Sequence, residues 1–289
     1  LPMLSALFII CMLSTIIFSG APLSQQIWGT FGRNTGFVTY LSLILVCLST
    51  ALLANREFMK NLCWSLIYTS IAATFYAFMQ VLRLDPIKWS EMRPFATFGN
   101  INFSSAFFGL SALVCVVTAI ASKLETFKKS LMISLALLQI WIVSTTSSIQ
   151  GIMIFAAGLT VAIGVFLIKL RSKIRLLFWP YLVFSISVLY FVILGLQNQG
   201  FLAKILFQPS VVFRGDYMHA GWAMTLKFPF FGAGLDSYGD WYRTVRGFIS
   251  TTRDNPDRIA NTAHNIFLDI SSTGGFPLII VYLGIFLLA

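Results

Sequence analysis

Apolar runs of near bilayer-crossing length follow one another along the first two thirds of the chain, separated by short polar turns. They predict helices over about residues 2–19, 36–54, 62–82, 101–121, 130–147, 151–168 and 178–196, with a last helix starting near 264 or 276. A transmembrane helix needs about 20 mostly apolar residues. The runs are apolar on all sides, without the alternation of a barrel strand, so they read as helices. No internal repeat is evident at the roughly 20–50-residue periods of solenoids. The closing run from Phe276 is short for a crossing, and the chain opens without Met in an apolar run already under way. A longer chain, with further helices at one or both ends, is therefore expected. No basic segment precedes the first run, so it does not read as a signal peptide.

Composition agrees with lipid as the solvent. Hydrophobic residues make up 57% of the 289 and charged residues 10%, against about 25% charged in a soluble domain. A net charge of +10 would raise nucleic acid as a partner in a soluble protein. Here the basic residues lie mainly between apolar runs, where they set orientation, and no nucleic-acid partner is expected. Cys11, Cys47, Cys63 and Cys115 all fall in apolar runs with no CxxC pair, so they read as buried thiols.

The short loops sort into two sets. One carries Arg56 and Lys60, then Lys123, Lys128 and Lys129, then Lys169, Arg171, Lys173 and Arg175. The other carries Arg33, then Arg83, Lys88 and Arg93, then nothing in the turn Ser147–Gln150. The richer set is assigned to the cytoplasm. The expected organisation is a helix bundle over 1–196, an extracytoplasmic loop over 197–263 and a C-terminal membrane segment over 264–289.

That long loop gathers most of the remaining polar chemistry: Arg214, Asp216, His219, Asp236, Asp240, Arg243, Arg246, Asp254, Asp257 and Arg258, closing at His264. Its tryptophans and tyrosines argue for order. His264, just before an apolar run, is either an imidazole that takes a proton from a hydroxyl nucleophile or an interfacial anchor at a helix start. Arg214 either grips phosphate bidentately or pairs with Asp216 or a lipid headgroup. The glycine-rich stretch Phe231–Asp240 lacks the Lys-Ser/Thr of a phosphate loop and reads as a tight re-entrant turn. Asp236 and Asp240 are spaced for a metal or, more simply, for a structural turn. Asn100 and Asn102 stand at a helix start, where capping is the plain reading. Gln150 and Arg33 occupy other turns on the same face. Asp269 is the exceptional ionisable residue in the apolar runs, and the scarcity of such charges weakens an ion-coupled transporter reading.

Several segments, in order, resemble the O-antigen ligase and O-antigen polymerase superfamily of bacterial envelope proteins. In the long loop they are Arg214-Gly215-Asp216, Gly221-Trp222-Ala223-Met224, Pro229-Phe230-Phe231-Gly232-Ala233-Gly234 and Ala263-His264-Asn265. Gly32-Arg33 and Gly99-Asn100-Ile101-Asn102 are similar to earlier family motifs. The resemblance implies an all-α polytopic bundle of the glycosyltransferase type C kind in the bacterial inner membrane. It implies transfer or polymerisation of a glycan from a polyprenyl-diphosphate donor onto a glycan, lipid or protein acceptor at the outer face, without cofactor or metal. Arg214 and His264 would be catalytic. Arg33, Asn100, Asn102, Gln150 and Arg246 would bind substrate. In one departure, Gln150 stands where many members carry Arg, so either Arg33 or Arg246 compensates or the donor is handled differently. Two other readings stay open: a transporter or flippase for a lipid-linked saccharide, and a metal-dependent oligosaccharyltransferase using Asp236 and Asp240.

Overall fold

A computed structural model describes residues 1–170, 175–252 and 259–288, and all regular structure among them is helical. Arg171, Lys173, Asp254, Asp257 and Arg258, noted above, lie outside the described residues. The apolar helices are α1 (Pro2–Phe18), α3 (Phe37–Leu53), α4 (Arg56–Val81), α5 (Ile101–Ala121), α6 (Thr126–Thr145), α7 (Gln150–Lys169) and α8 (Phe178–Leu196). A short α2 (Leu23–Trp28) stands between the first two. The segment after α8 is itself helical: α9 (Ala203–Leu206), α10 (Pro209–Lys227), α11 (Tyr238–Val245) and α12 (Phe248–Thr251) precede α13 (Ile266–Leu288). Six helices (α4 to α8 and α13) are long and apolar enough to cross a membrane, and the chain is a polytopic, all-α membrane protein.

Three helix boundaries differ from the sequence pattern. Helix α4 starts at Arg56 rather than near 62, because Asn55 accepts the Phe58 N–H at 2.8 Å as an N-cap and Glu57 favours the first turn. Helix α6 likewise starts earlier, at Thr126 rather than near 130. Both expected starts for the last helix hold a half-truth. Helix α13 begins at Ile266, breaks at Gly275 (φ 75°, ψ −177°) and resumes with Pro277 in its first turn.

The chain divides into two compact units: Leu1–Ala54 with Phe191–Ala289, and Asn55–Tyr190. In the first, α1, α3 and α13 enclose Phe8, Met12, Ile44, Ile270 and Leu278, with Leu235 from the loop before α11. A second cluster joins Tyr217, Ala220 and Met224 of α10 to Tyr238, Tyr242 and Ala263.

In the second unit, Gln139 of α6 is fully buried. It donates to Ser70 at 3.0 Å and Thr74 at 3.1 Å and accepts from Ser111 at 3.2 Å, tying α4, α5 and α6 together. Small residues set the spacing there: a Cβ on Gly109 of α5 would collide with the Gly151 backbone of α7. Both devices belong to lipid-embedded helix packing, where apolar surface alone gives little drive to associate.

Candidate functional site

The approach to α13 is built around Asp269. One of its carboxylate oxygens accepts the Thr262 hydroxyl at 2.5 Å, and the other accepts the Ala263 N–H at 2.7 Å. Thr262 Oγ1 in turn accepts the His264 N–H at 3.2 Å. Asn265 caps the helix, its Oδ1 accepting from Phe267 and Leu268 at 3.0 and 3.3 Å. These bonds hold His264 in the left-handed region (φ 53°), an unusual backbone state for a non-glycine residue. Its ring stacks on Tyr217, with centroids 5.3 Å apart and planes 30° from parallel. Ala263 is fully buried against α10, where a Cβ on Gly221 would come within 3.0 Å of it.

Loss of hydration lowers the His264 pKa first, the nearby Arg214 charge second and Arg33 more weakly, while Asp269 opposes them. The net shift is downward, which favours the neutral imidazole.

Arg214 lies one helical turn before Tyr217, on the same face of α10. Tyr217 is itself braced. Its carbonyl accepts the buried Tyr238 hydroxyl at 2.6 Å, and its ring meets Tyr242 edge-on at 5.7 Å. Burial pushes the Tyr238 hydroxyl far up, so it remains a donor. The guanidinium of Arg246 stands over the Tyr242 ring at 5.9 Å. His219 lies elsewhere on α10, beside Gly247.

Arg33 projects from the loop between α2 and α3, which closes where Gly29 and Gly36 meet. A Cβ on Gly36 would sit 2.5 Å from the Gly29 nitrogen. Asp236 pins this loop. Its carboxylate accepts Thr30 N–H (2.7 Å) and Oγ1 (3.0 Å), and Thr35 N–H (3.3 Å) and Oγ1 (2.7 Å). Arg33 Nε is 3.5 Å away, and the Asp236 side chain is only 3% exposed. Asp240 accepts Gln25 Nε2 at 2.7 Å. The two aspartates therefore act separately as loop fasteners. Among the described residues, no three of His, Cys, Asp and Glu gather as a metal site would require.

The glycine-rich segment completes the broken helix. Ala233 and Gly234 donate to the Ser272 and Thr273 carbonyls at 2.9 and 3.1 Å, and Phe276 donates to the Pro229 carbonyl at 2.7 Å. Backbone groups freed by the break at Gly275 thus regain partners, as non-helical backbone among membrane helices must. A Cβ on Gly232 would collide with Thr273.

In the second unit, Asn100 caps α5 by accepting the Asn102 N–H at 2.8 Å. Asn102 Oδ1 accepts the Ser148 hydroxyl at 3.0 Å, in the turn that leads into Gln150 at the start of α7. The first unit thus brings Arg33 and Arg214 to bear on His264, with Arg246 one ring contact behind Tyr217. The second unit gathers Asn100, Asn102 and Gln150. Sequence reasoning weighed Asp236 only as a metal ligand or a turn residue, and gave no site role to Tyr217 or Asp269. Asp269 alone carried a signal, as a charge inside an apolar run.

A family model described as O-antigen ligase matches residues 131–283, a stretch that includes Gln150, Arg214, Arg246 and His264. No curated protein and no solved structure matches the chain.

Proposed function

The chain belongs to the O-antigen ligase family of membrane glycosyltransferases, and we propose that it transfers or polymerises a glycan from a polyprenyl-diphosphate-linked donor at the outer face of the bacterial inner membrane. The observation that supports this reading most is the common setting of Arg33, Arg214 and a neutral His264 within one unit. An acceptor hydroxyl attacks the anomeric carbon while the bond from that carbon to the diphosphate oxygen breaks. The electron pair leaves with the polyprenyl diphosphate, and the hydroxyl proton passes to the imidazole of His264. Arg214 neutralises charge on the departing diphosphate, with Arg33 and Arg246 as further cations. Asn100, Asn102 and Gln150, in the second unit, are further candidates for substrate binding. General-base assistance is worth about 10²–10⁴-fold, and preorganised charge often contributes the largest single part of a rate enhancement.

No metal enters this scheme. Asp236, the one deeply buried carboxylate of the Asp236/Asp240 pair, already takes four hydrogen bonds from Thr30 and Thr35. The acceptor is a glycan, a lipid or a protein, and the products distinguish the three. The test is in vitro transfer from a defined lipid-linked donor to several acceptors, read by mass spectrometry. A new glycosidic bond in the wild type, lost in His264→Ala and Arg214→Ala with membrane insertion intact, supports the proposal. Transbilayer movement of donor without a new bond would replace it with a flippase.

A further inference from the structure

The first unit contains a second recess, about 440 Å³ in volume, lined by the end of α1, the start of α2 and one face of α11. Its size falls within the roughly 300–1,000 Å³ of small-molecule sites. Gln25, Ser237, Asp240, Trp241 and Thr244 supply its polar and aromatic lining. Asp240 is exposed and uses Oδ2 on Gln25, while its Oδ1 receives no hydrogen bond among the described residues. The indole N–H of Trp241 likewise has no acceptor among them. Trp241 is held from elsewhere: Lys227 Nζ lies 4.6 Å from its ring, and Phe228 meets it edge-on at 4.7 Å.

We propose that this recess is a binding subsite for one neutral sugar residue of a glycan, away from the bond being made. A pyranose offers an apolar face of C–H groups, which suits an indole, and a rim of hydroxyls that both donate and accept. The recess matches both. Asp240 accepts, the Trp241 N–H donates, Thr244 Oγ1 accepts while its own proton goes to the Trp241 carbonyl at 2.8 Å, and Ala21, Pro22 and Ala233 supply apolar wall. No Lys or Arg lines it, and its one charged group is a carboxylate, so phosphate and acidic sugars are disfavoured.

Its position gives the site a use. Gln25, in its wall, donates to the Asp236 carbonyl at 3.1 Å. The Asp236 carboxylate holds the Arg33 loop from the other side of the same turn. Resting on the glycosyltransferase reading, the subsite positions a sugar further along the donor or acceptor chain.

The test is saturation-transfer NMR on the full chain in nanodiscs. The probes are free glucose, galactose, N-acetylglucosamine and N-acetylgalactosamine, with glucuronic acid as the acidic counterpart. At least one neutral sugar should show saturation, weakened at least about fivefold, or about 1 kcal/mol, in both Thr244→Trp and Asp240→Leu. Glucuronic acid should show none. Should Thr244→Trp fail to fold, Asp240→Leu alone decides, since its side chain is exposed. No saturation from any neutral sugar, saturation from glucuronic acid, or variants equal to wild type would overturn the subsite. The readout needs no transfer. A protein that binds sugars but makes no glycosidic bond therefore counts against the reaction and not against the recess.

Discussion

Asp269 sets the direction of His264 without touching its ring. Its two carboxylate oxygens each hold one group of the preceding turn, and the histidine leaves that turn in a left-handed backbone state. The first expectation follows from this. Asp269→Asn keeps the shape but offers one oxygen where two were used. Asp269→Ala removes both acceptors and should cost about 1–3 kcal/mol of stability, read as a lowered Tm. Transfer should fall in both variants, further in Asp269→Ala, while bound donor changes less than turnover. Normal turnover in Asp269→Ala would remove the positioning role.

The pH profile carries a sign. His264 acts as a base only when neutral, and its pKa lies below the ordinary imidazole value. Wild-type kcat/KM should therefore rise with pH along an acid limb centred below the ordinary imidazole pKa. Asp269 holds the imidazole pKa up and Arg33 holds it down. Asp269→Asn should move the acid limb to lower pH, and Arg33→Gln should move it to higher pH. Shifts in the same direction for both variants would contradict the assigned field.

Asp236 gives a third expectation, in which donor binding and fold are coupled. Asp236→Ala leaves the Thr30 and Thr35 donors without their shared acceptor and frees the Arg33 loop. A loss of about 1–3 kcal/mol is expected, together with a higher KM for the lipid-linked donor. Unchanged KM with lowered Tm would make the contact purely structural.

Glycines separate strain from collision. Gly275 and Gly200 both have positive φ, 75° and 72°. A Cβ on Gly275 would come 2.6 Å from Phe230 backbone, whereas nothing lies within 4 Å at Gly200. Gly200→Ala should cost only the left-handed penalty, about 1–2 kcal/mol. Gly275→Ala should cost clearly more, seen as poor yield or a lower Tm. Equal losses would show that the close approach is relaxed without cost.

The membrane helices were legible because lipid imposes both their length and their apolarity. Helix α10 was not read, although Tyr217, Ala220, Gly221 and Met224 follow helical spacing and are its buried face. Its other face carries Asp216, His219 and Lys227, and Arg214 stands beside Tyr217, so the segment looks like a polar loop unless periodicity is sought within it. The site split the same way. Arg33, Arg214 and His264 could be nominated from local motifs. The partners that place them could not. Asp236 answers to Thr30 and Thr35 from far along the chain, and Asp269 acts on the Thr262 hydroxyl and the Ala263 N–H rather than on the imidazole. Only the fold shows that the glycines of Gly232-Ala233-Gly234 serve a helix break rather than a ligand.

That break also sets an order of assembly. While α13 enters the bilayer, the Ser272 and Thr273 carbonyls and the Phe276 N–H await donors and an acceptor that lie upstream, in 229–234. The upstream segment must therefore fold back onto a helix made after it. Seating of α13 in lipid is then coupled to completion of the polar region before it, since until that region docks the break leaves backbone groups without partners.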